Sequence, residues 1–154
     1  MQSLNENVKL TGEVWVRLYD EKGNLKQEHK NSNLVVTVGK SYLAAWLAAP
    51  SQAGKFMSYI ALGNVATGPT SGDTTLNSEC TVGGYSRSLG TLTSASNVWT
   101  NTATFAPGNG TDAIVEAGLF TASTAGTMLA HQTFPVYNKQ AGDTMVIVWN
   151  VSFN

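Results

Sequence analysis

Thr144-Met145-Val146-Ile147-Val148-Trp149-Asn150-Val151-Ser152-Phe153 is the stretch whose alternation decides the fold. One parity, Met145, Ile147, Trp149, Val151 and Phe153, is wholly apolar; the other runs Thr144, Val146, Val148, Asn150, Ser152. A period of two places successive side chains on opposite faces of a β-strand. The pattern predicts a strand over 144–153 with one face fully buried, Phe153 included. Val146 and Val148 predict that the middle of the other face is covered as well, by a helix, a second sheet or a neighbouring subunit. A strand of this kind needs sheets to receive it, and the rest of the chain is expected to supply them.

Working back towards the N-terminus, residues 138–143 read as a loop, 128–136 as a strand, 122–126 as a turn and 113–121 as a strand. Pro107-Gly108-Asn109-Gly110 is a turn by composition. Residues 98–105 alternate as a strand, 94–97 turn, and 81–93 read as a strand carrying Tyr85 and Arg87. Residues 74–80 suggest one helical turn, 64–73 a loop rich in glycine and proline, and 58–63 a compact buried strand. Between 39 and 49 the period changes: Tyr42, Leu43, Trp46 and Leu47 share one helical face, with Thr37 as the expected N-cap and Pro50 as the stop. Residues 34–38 form a short β-branched strand after a break at Asn31-Ser32-Asn33. Residues 8–19 and 25–30 make a hairpin with a charged tip at 20–24. About eight short strands at roughly 8–12-residue spacing indicate an all-β fold. The expectation is a two-sheet antiparallel sandwich, jelly-roll-like, with one short helix near residues 39–49. An N-terminal arm (1–7) precedes a single domain (8–154).

The chain has 154 residues, enough for one domain with a substantial core. Charged residues make up 12%, about half the usual share of roughly 25%, so much of the surface is expected to lie against other protein. A net charge of −1 gives no long-range attraction for nucleic acid or an anionic membrane, and neither is expected as a partner. The longest apolar run, residues 42–50, is too short to span a bilayer. Residues 1–6 lack the basic and apolar regions of a secretory signal, so synthesis and folding in a cytoplasm are expected. With Cys80 as the single cysteine, one chain can form no disulfide.

Few constellations point to catalysis. Gly39-Lys40-Ser41 resembles the end of a phosphate-binding loop, but Leu34 stands where that loop requires glycine. Gly84-Tyr85-Ser86-Arg87-Ser88 lacks the closing glycine of a nucleophile elbow. The histidines are His29, in the charged hairpin, and His131, expected at the surface or in a subunit contact. Glu116 stands alone between Val115 and Ala117. A glycosidase needs a second, facing carboxylate, so Glu116 is expected to cap loop amides or pair with Arg87. Trp46 and Trp149 read as core, whereas Trp15 and Trp99 are candidates for a contact. The candidate interface residues are Trp15, Tyr85, Arg87, Trp99 and His131; no catalytic residue, metal site or cofactor is expected.

Several blocks carry a family resemblance: Asn33-Leu34-Val35-Val36-Thr37-Val38-Gly39-Lys40, Tyr59-Ile60-Ala61-Leu62-Gly63, Glu116-Ala117-Gly118-Leu119-Phe120, Gly126-Thr127-Met128-Leu129-Ala130, Phe134-Pro135-Val136 and the closing strand. In this order they resemble small structural proteins of tailed bacteriophages, found as capsid decoration (cement) proteins and within tail-fibre and baseplate components. The resemblance covers residues 33–154 and leaves out 1–32. It implies a virion protein present in many copies, made in the host cytoplasm and without enzymatic activity. The resulting expectation is a homotrimer that binds the major capsid protein and stabilises the shell. The alternative is a tail fibre, baseplate or adaptor component with host-glycan binding.

Overall fold

The computed structural model describes residues 9–48, 57–81, 85–108 and 111–154. Strand β1 (Leu10–Tyr19) and strand β2 (Leu25–Val35) form the first hairpin. Its tip is tied by the Asp20 carboxylate, which accepts the amides of Lys22 and Asn24 at 2.9 and 2.8 Å. Helix α1 (Thr37–Ala48) follows, then β3 (Tyr59–Gly63), β4 (Ser88–Leu89), β5 (Thr91–Ala95), β6 (Val98–Phe105), β7 (Asp112–Phe120), β8 (Met128–Lys139) and β9 (Thr144–Phe153). The expected all-β antiparallel architecture with one short helix is present.

The nine strands form one ladder in the order β4-β3-β7-β8-β2-β1-β9-β6-β5. Strand β2 belongs to both halves: Gly12 to Tyr19 pair with its first part, while Leu34 and Val35 pair with His131 and Ala130 of β8. At the other side, the two ends of the ladder, β4 and β5, are separated in sequence by Gly90 alone. The Gly90 amide donates to the Ser58 carbonyl at 2.7 Å, and Ser88 Oγ donates to the Thr104 carbonyl at 3.0 Å. The two sheets are thus joined at both sides, as a flattened and nearly closed barrel. Gly90 is required there: a side chain on it would run into the amide of fully buried Asn101, whose Nδ2 donates to the Met57 carbonyl at 2.9 Å.

The core lies between the sheets. Val14, Val16 and Leu18 of β1 and Met145, Ile147, Trp149 and Val151 of β9 are all buried, as alternation demands. Across from them stand Ile60, Leu62, Leu119 and Tyr137. Each such side chain stabilises the fold by about 1.5–3 kcal/mol. A smaller apolar cluster of Val36, Ala61, Leu76, Phe120 and Met128 forms separately. Leu76 plugs it, close enough to Gly118 that a Cβ there would meet Leu76 Cδ2 at 2.8 Å.

Several expectations need correction. Asn31-Ser32-Asn33 is no break: it pairs with Val14, Glu13 and Gly12 as part of β2. Asn33 fits because Gly12 opposite leaves room for its amide, and ladder pairing overrides poor strand propensity. Thr37 is the first helical residue and not the cap; the Lys40 amide donates to the Val36 carbonyl at 3.1 Å. The helix end expected at Pro50 lies outside the described residues. Residues 74–80 form no helix and instead bridge Glu79 to Gly63. The strand expected over 81–93 is split into β4 and β5, with Tyr85 and Arg87 outside both and Gly83-Gly84 outside the described residues. Strand β8 runs on to Lys139 because Pro135 falls in a register shift opposite Val115, where a missing N–H costs no ladder bond. Phe153 ends β9 opposite Leu10, but the residue is 44% exposed. On the outer face of β9, Val148 lies beside Trp15 and Thr102 in the ladder, and Val146 beside Arg17 and Thr104. The helix packs against β8 instead of this face.

Candidate functional site

Two places concentrate chemistry: a buried ionic cluster and an open apolar cleft. The first grows from β7 and β8. Glu116 and His131 share a sheet face with Gly118 and Phe120, and both are completely buried. The loop between β3 and β4 brings Asp73 to them. His131 Nδ1 lies 2.7 Å from Asp73 Oδ2, and Nε2 lies 2.9 Å from Glu116 Oε2. Glu116 also accepts the Ser78 amide at 3.0 Å, the Asn77 amide at 3.3 Å and Asn77 Nδ2 at 3.1 Å. Gly63 is needed beneath it, since a side chain there would collide with the carboxylate.

Burial alone would push the His131 pKa down, but the hydrogen bonds that its ring donates to Glu116 and Asp73 outweigh it and hold the imidazole above its usual value. Burial raises Glu116, yet the His131 bond and the Ser78 and Asn77 amides bring its carboxyl below the ordinary range. Asp73 is lowered in the same way, burial being offset by Thr70 and His131. The cluster is an imidazolium between two carboxylates, one of which is saturated by backbone amides. Such an arrangement fastens a loop. It offers no open position to a substrate, since Glu116 and His131 have no exposed surface. Among the described residues no group of three or more His, Cys, Asp or Glu side chains is placed to hold a metal ion.

Glu116 therefore caps loop amides, as its isolation in the sequence suggests, but its ionic partner is His131 and not Arg87. Arg87 pairs with both oxygens of Glu79 at 2.8 Å. Its Nη1 also donates to the carbonyls of Ala122 and Ala125 at 3.0 and 2.6 Å, and its guanidinium lies 3.7 Å over Phe120. It pins the turn before β8, in which Ala125 takes a left-handed φ of 52°.

The five candidate interface residues do not come together. His131 is buried inside the chain, not at the surface, because the Asp73 loop folds over it. Tyr85 is buried too, its hydroxyl pushed up to about 12 by burial. The Arg87 side chain is only 6% exposed. Trp15 lies half-buried on the outer sheet face between Arg17 and Lys30, 5.0 and 4.8 Å from its ring, with Nε1 donating to Glu13 at 2.8 Å. Trp99 pairs with inward-facing Val151 and so stands on the opposite face from Trp15.

Trp99 belongs to the second place. Helix α1 contributes Tyr42, Leu43 and Trp46; Leu92, Val151 and Phe153 come from β5 and β9. With Met57, Thr93, Ser94, Trp99 and Leu129 they line a cleft of about 480 Å³. The volume is that of a small-ligand or side-chain pocket, roughly 300–1,000 Å³. Sequence reading missed this cleft because its walls come from segments scattered between residues 42 and 153. The available signal was helix α1, whose residues 42–48 include no charged side chain and of which Gly39 is the one buried residue. Trp46, expected in the core, is only half-buried. Lys139 was also missed. It is fully buried with its amine 3.3 Å from the Gln140 carbonyl, and burial depresses its pKa. Comparison with family models, with curated proteins and with solved structures finds no match to this chain.

Proposed function

We propose that this chain is a non-enzymatic structural protein of a phage particle that works by contact, as a capsid decoration (cement) protein on the outer shell. One observation carries the reading. The polar constellation around His131 is closed and internally satisfied, while the open concavity is apolar and flanked by the uncharged residues 42–48 of helix α1. A surface of that kind gains free energy when another protein removes it from water. The resemblance over residues 33–154 supplies the phage particle. Binding to the assembled shell and not to free subunits stabilises the shell by mass action.

A second reading, a tail fibre, baseplate or adaptor component that binds host glycans, is favoured by Trp46 and Trp99 lining the same cleft. Gold-labelled antibody against the chain, applied to purified virions, separates the two. Label over the heads is expected. Label confined to the tails transfers the proposal to the second reading, and virions without label sink both.

A further inference from the structure

We propose that the turn Thr70–Asp73 is a proton-operated latch, held on the sheet by the doubly protonated His131 ring and released when that ring gives up one proton. Ala117, Leu119 and Ala130 face the core between the sheets, so Glu116, Gly118 and His131, which alternate with them, face outward. The loop between β3 and β4 is what buries them there. Little else holds that loop down. No residue from 64 to 75 is buried, and Leu76 is its first apolar side chain to enter a cluster. A segment with so few buried apolar contacts opens locally at low cost. The turn is tied within itself, Asp73 accepting the Thr70 amide at 2.8 Å and the Thr70 hydroxyl at 2.6 Å. Among the described residues it is tied to the rest of the chain by Asp73 Oδ2, 2.7 Å from His131 Nδ1, and by the Ser71 carbonyl, which accepts the Thr37 amide at 2.8 Å where α1 begins.

A neutral imidazole has one N–H to offer two carboxylates. Glu116 keeps it. That carboxylate is fully buried and cannot turn to water, whereas the Asp73 side chain is 20% exposed and can. The bare lone pair of Nδ1 then faces Asp73, and the turn moves off with its Thr70 bonds intact. His131 is uncovered and the Thr37 amide loses its partner. The other end of the loop stays, because Asn77 and Ser78 donate to Glu116 and Leu76 remains in its apolar cluster. The charged groups facing the ring are Glu116 from β7 and Asp73 from the loop; on β2 its register partner is Leu34. The remaining ionisable groups of that loop and of β7 are engaged elsewhere: Glu79 with Arg87, and Asp112 with Asn64 and Cys80.

Amide hydrogen exchange of the full chain, followed by NMR from about pH 5.5 to 9 and corrected for intrinsic rates, tests the latch. Glu116 and Asp73 are held below their ordinary ranges and stay ionised throughout, so His131 is the member of the cluster that titrates. The opening constant at the Thr37 amide is expected to rise above pH 6.5, by up to about tenfold per pH unit for one proton released, and then to level off. The amides of Ser78, on Glu116, and of Cys80, on the Leu62 carbonyl, are expected to keep theirs. Asp73→Asn should flatten the Thr37 profile, since a carboxamide accepts from the charged ring and donates to the neutral one. A Thr37 opening constant indifferent to pH overturns the proposal. So does a rise shared equally by Ser78 and Cys80, which would mean that the whole loop or the whole chain opens. A pH dependence at Thr37 that survives Asp73→Asn overturns it as well, and assigns the opening to a group other than this pair.

Discussion

Both ring nitrogens of His131 face a carboxylate, so only the imidazolium satisfies Asp73 and Glu116 together. The pH dependence follows. The folded pKa of His131 is raised above 6.5, so its contribution is fully present below that value and is lost as pH rises through the folded value. Glu116 and Asp73 are depressed below 4.5 and 3.8, so theirs is present above those values and is lost as pH falls through the folded ones. The cluster stabilises most between 4.5 and 6.5. Urea unfolding should show stability declining from pH 6.5 upward. His131→Gln should cost about 3–5 kcal/mol at pH 6, the loss expected when a buried ion pair loses one partner, and should remove the alkaline decline. A decline that survives the substitution assigns it to another group. Sequence reading found the role of Glu116, because a lone carboxylate in an apolar strand must find donors. It missed His131 because Asp73 is 58 residues away and reaches it only once the loop has folded.

Legibility at the level of elements follows periodicity. Strands β6 and β9 have the bounds expected from their alternation. Strand β2 was misread at Asn31-Ser32-Asn33 because those residue types signal turns, and only the facing Gly12 reveals that they fit a ladder. The split into β4 and β5 was equally hidden, since Gly90 acquires its meaning from Asn101, eleven positions on by number and on a different strand. Gly90→Ala should destabilise the chain by about 1–3 kcal/mol through overpacking at the seam of the barrel. Because the collision is with one side chain, Gly90→Ala combined with Asn101→Ala should cost less than the sum of the two single changes in a double-mutant cycle. Additive costs would mean that the backbone at Gly90, and not the Asn101 amide, sets the limit.

At the scale of the whole molecule, β9 holds the barrel because of its place in the ladder as well as its composition. It lies between β1 and β6, pairing from Leu10 to Tyr19 on one side and from Val98 to Phe105 on the other. Removing residues 149–154 strips Trp149 and Val151 from the core and leaves Leu10 to Val14 and Val98 to Asn101 without their partners. Trp149 alone is worth about 3–5 kcal/mol by the measure of large-to-small core substitutions. A domain of this size holds roughly 5–15 kcal/mol in total, so truncation after Val148 should abolish cooperative melting followed by circular dichroism. The partial exposure of Phe153 refines that expectation within the strand. Val151→Ala, at a fully enclosed site, should lower the unfolding free energy by about 1–3 kcal/mol, whereas Phe153→Ala should cost less despite removing the larger side chain. The reverse order would show that the cleft is closed within a single chain, and that Phe153 is a core residue and not part of a contact surface.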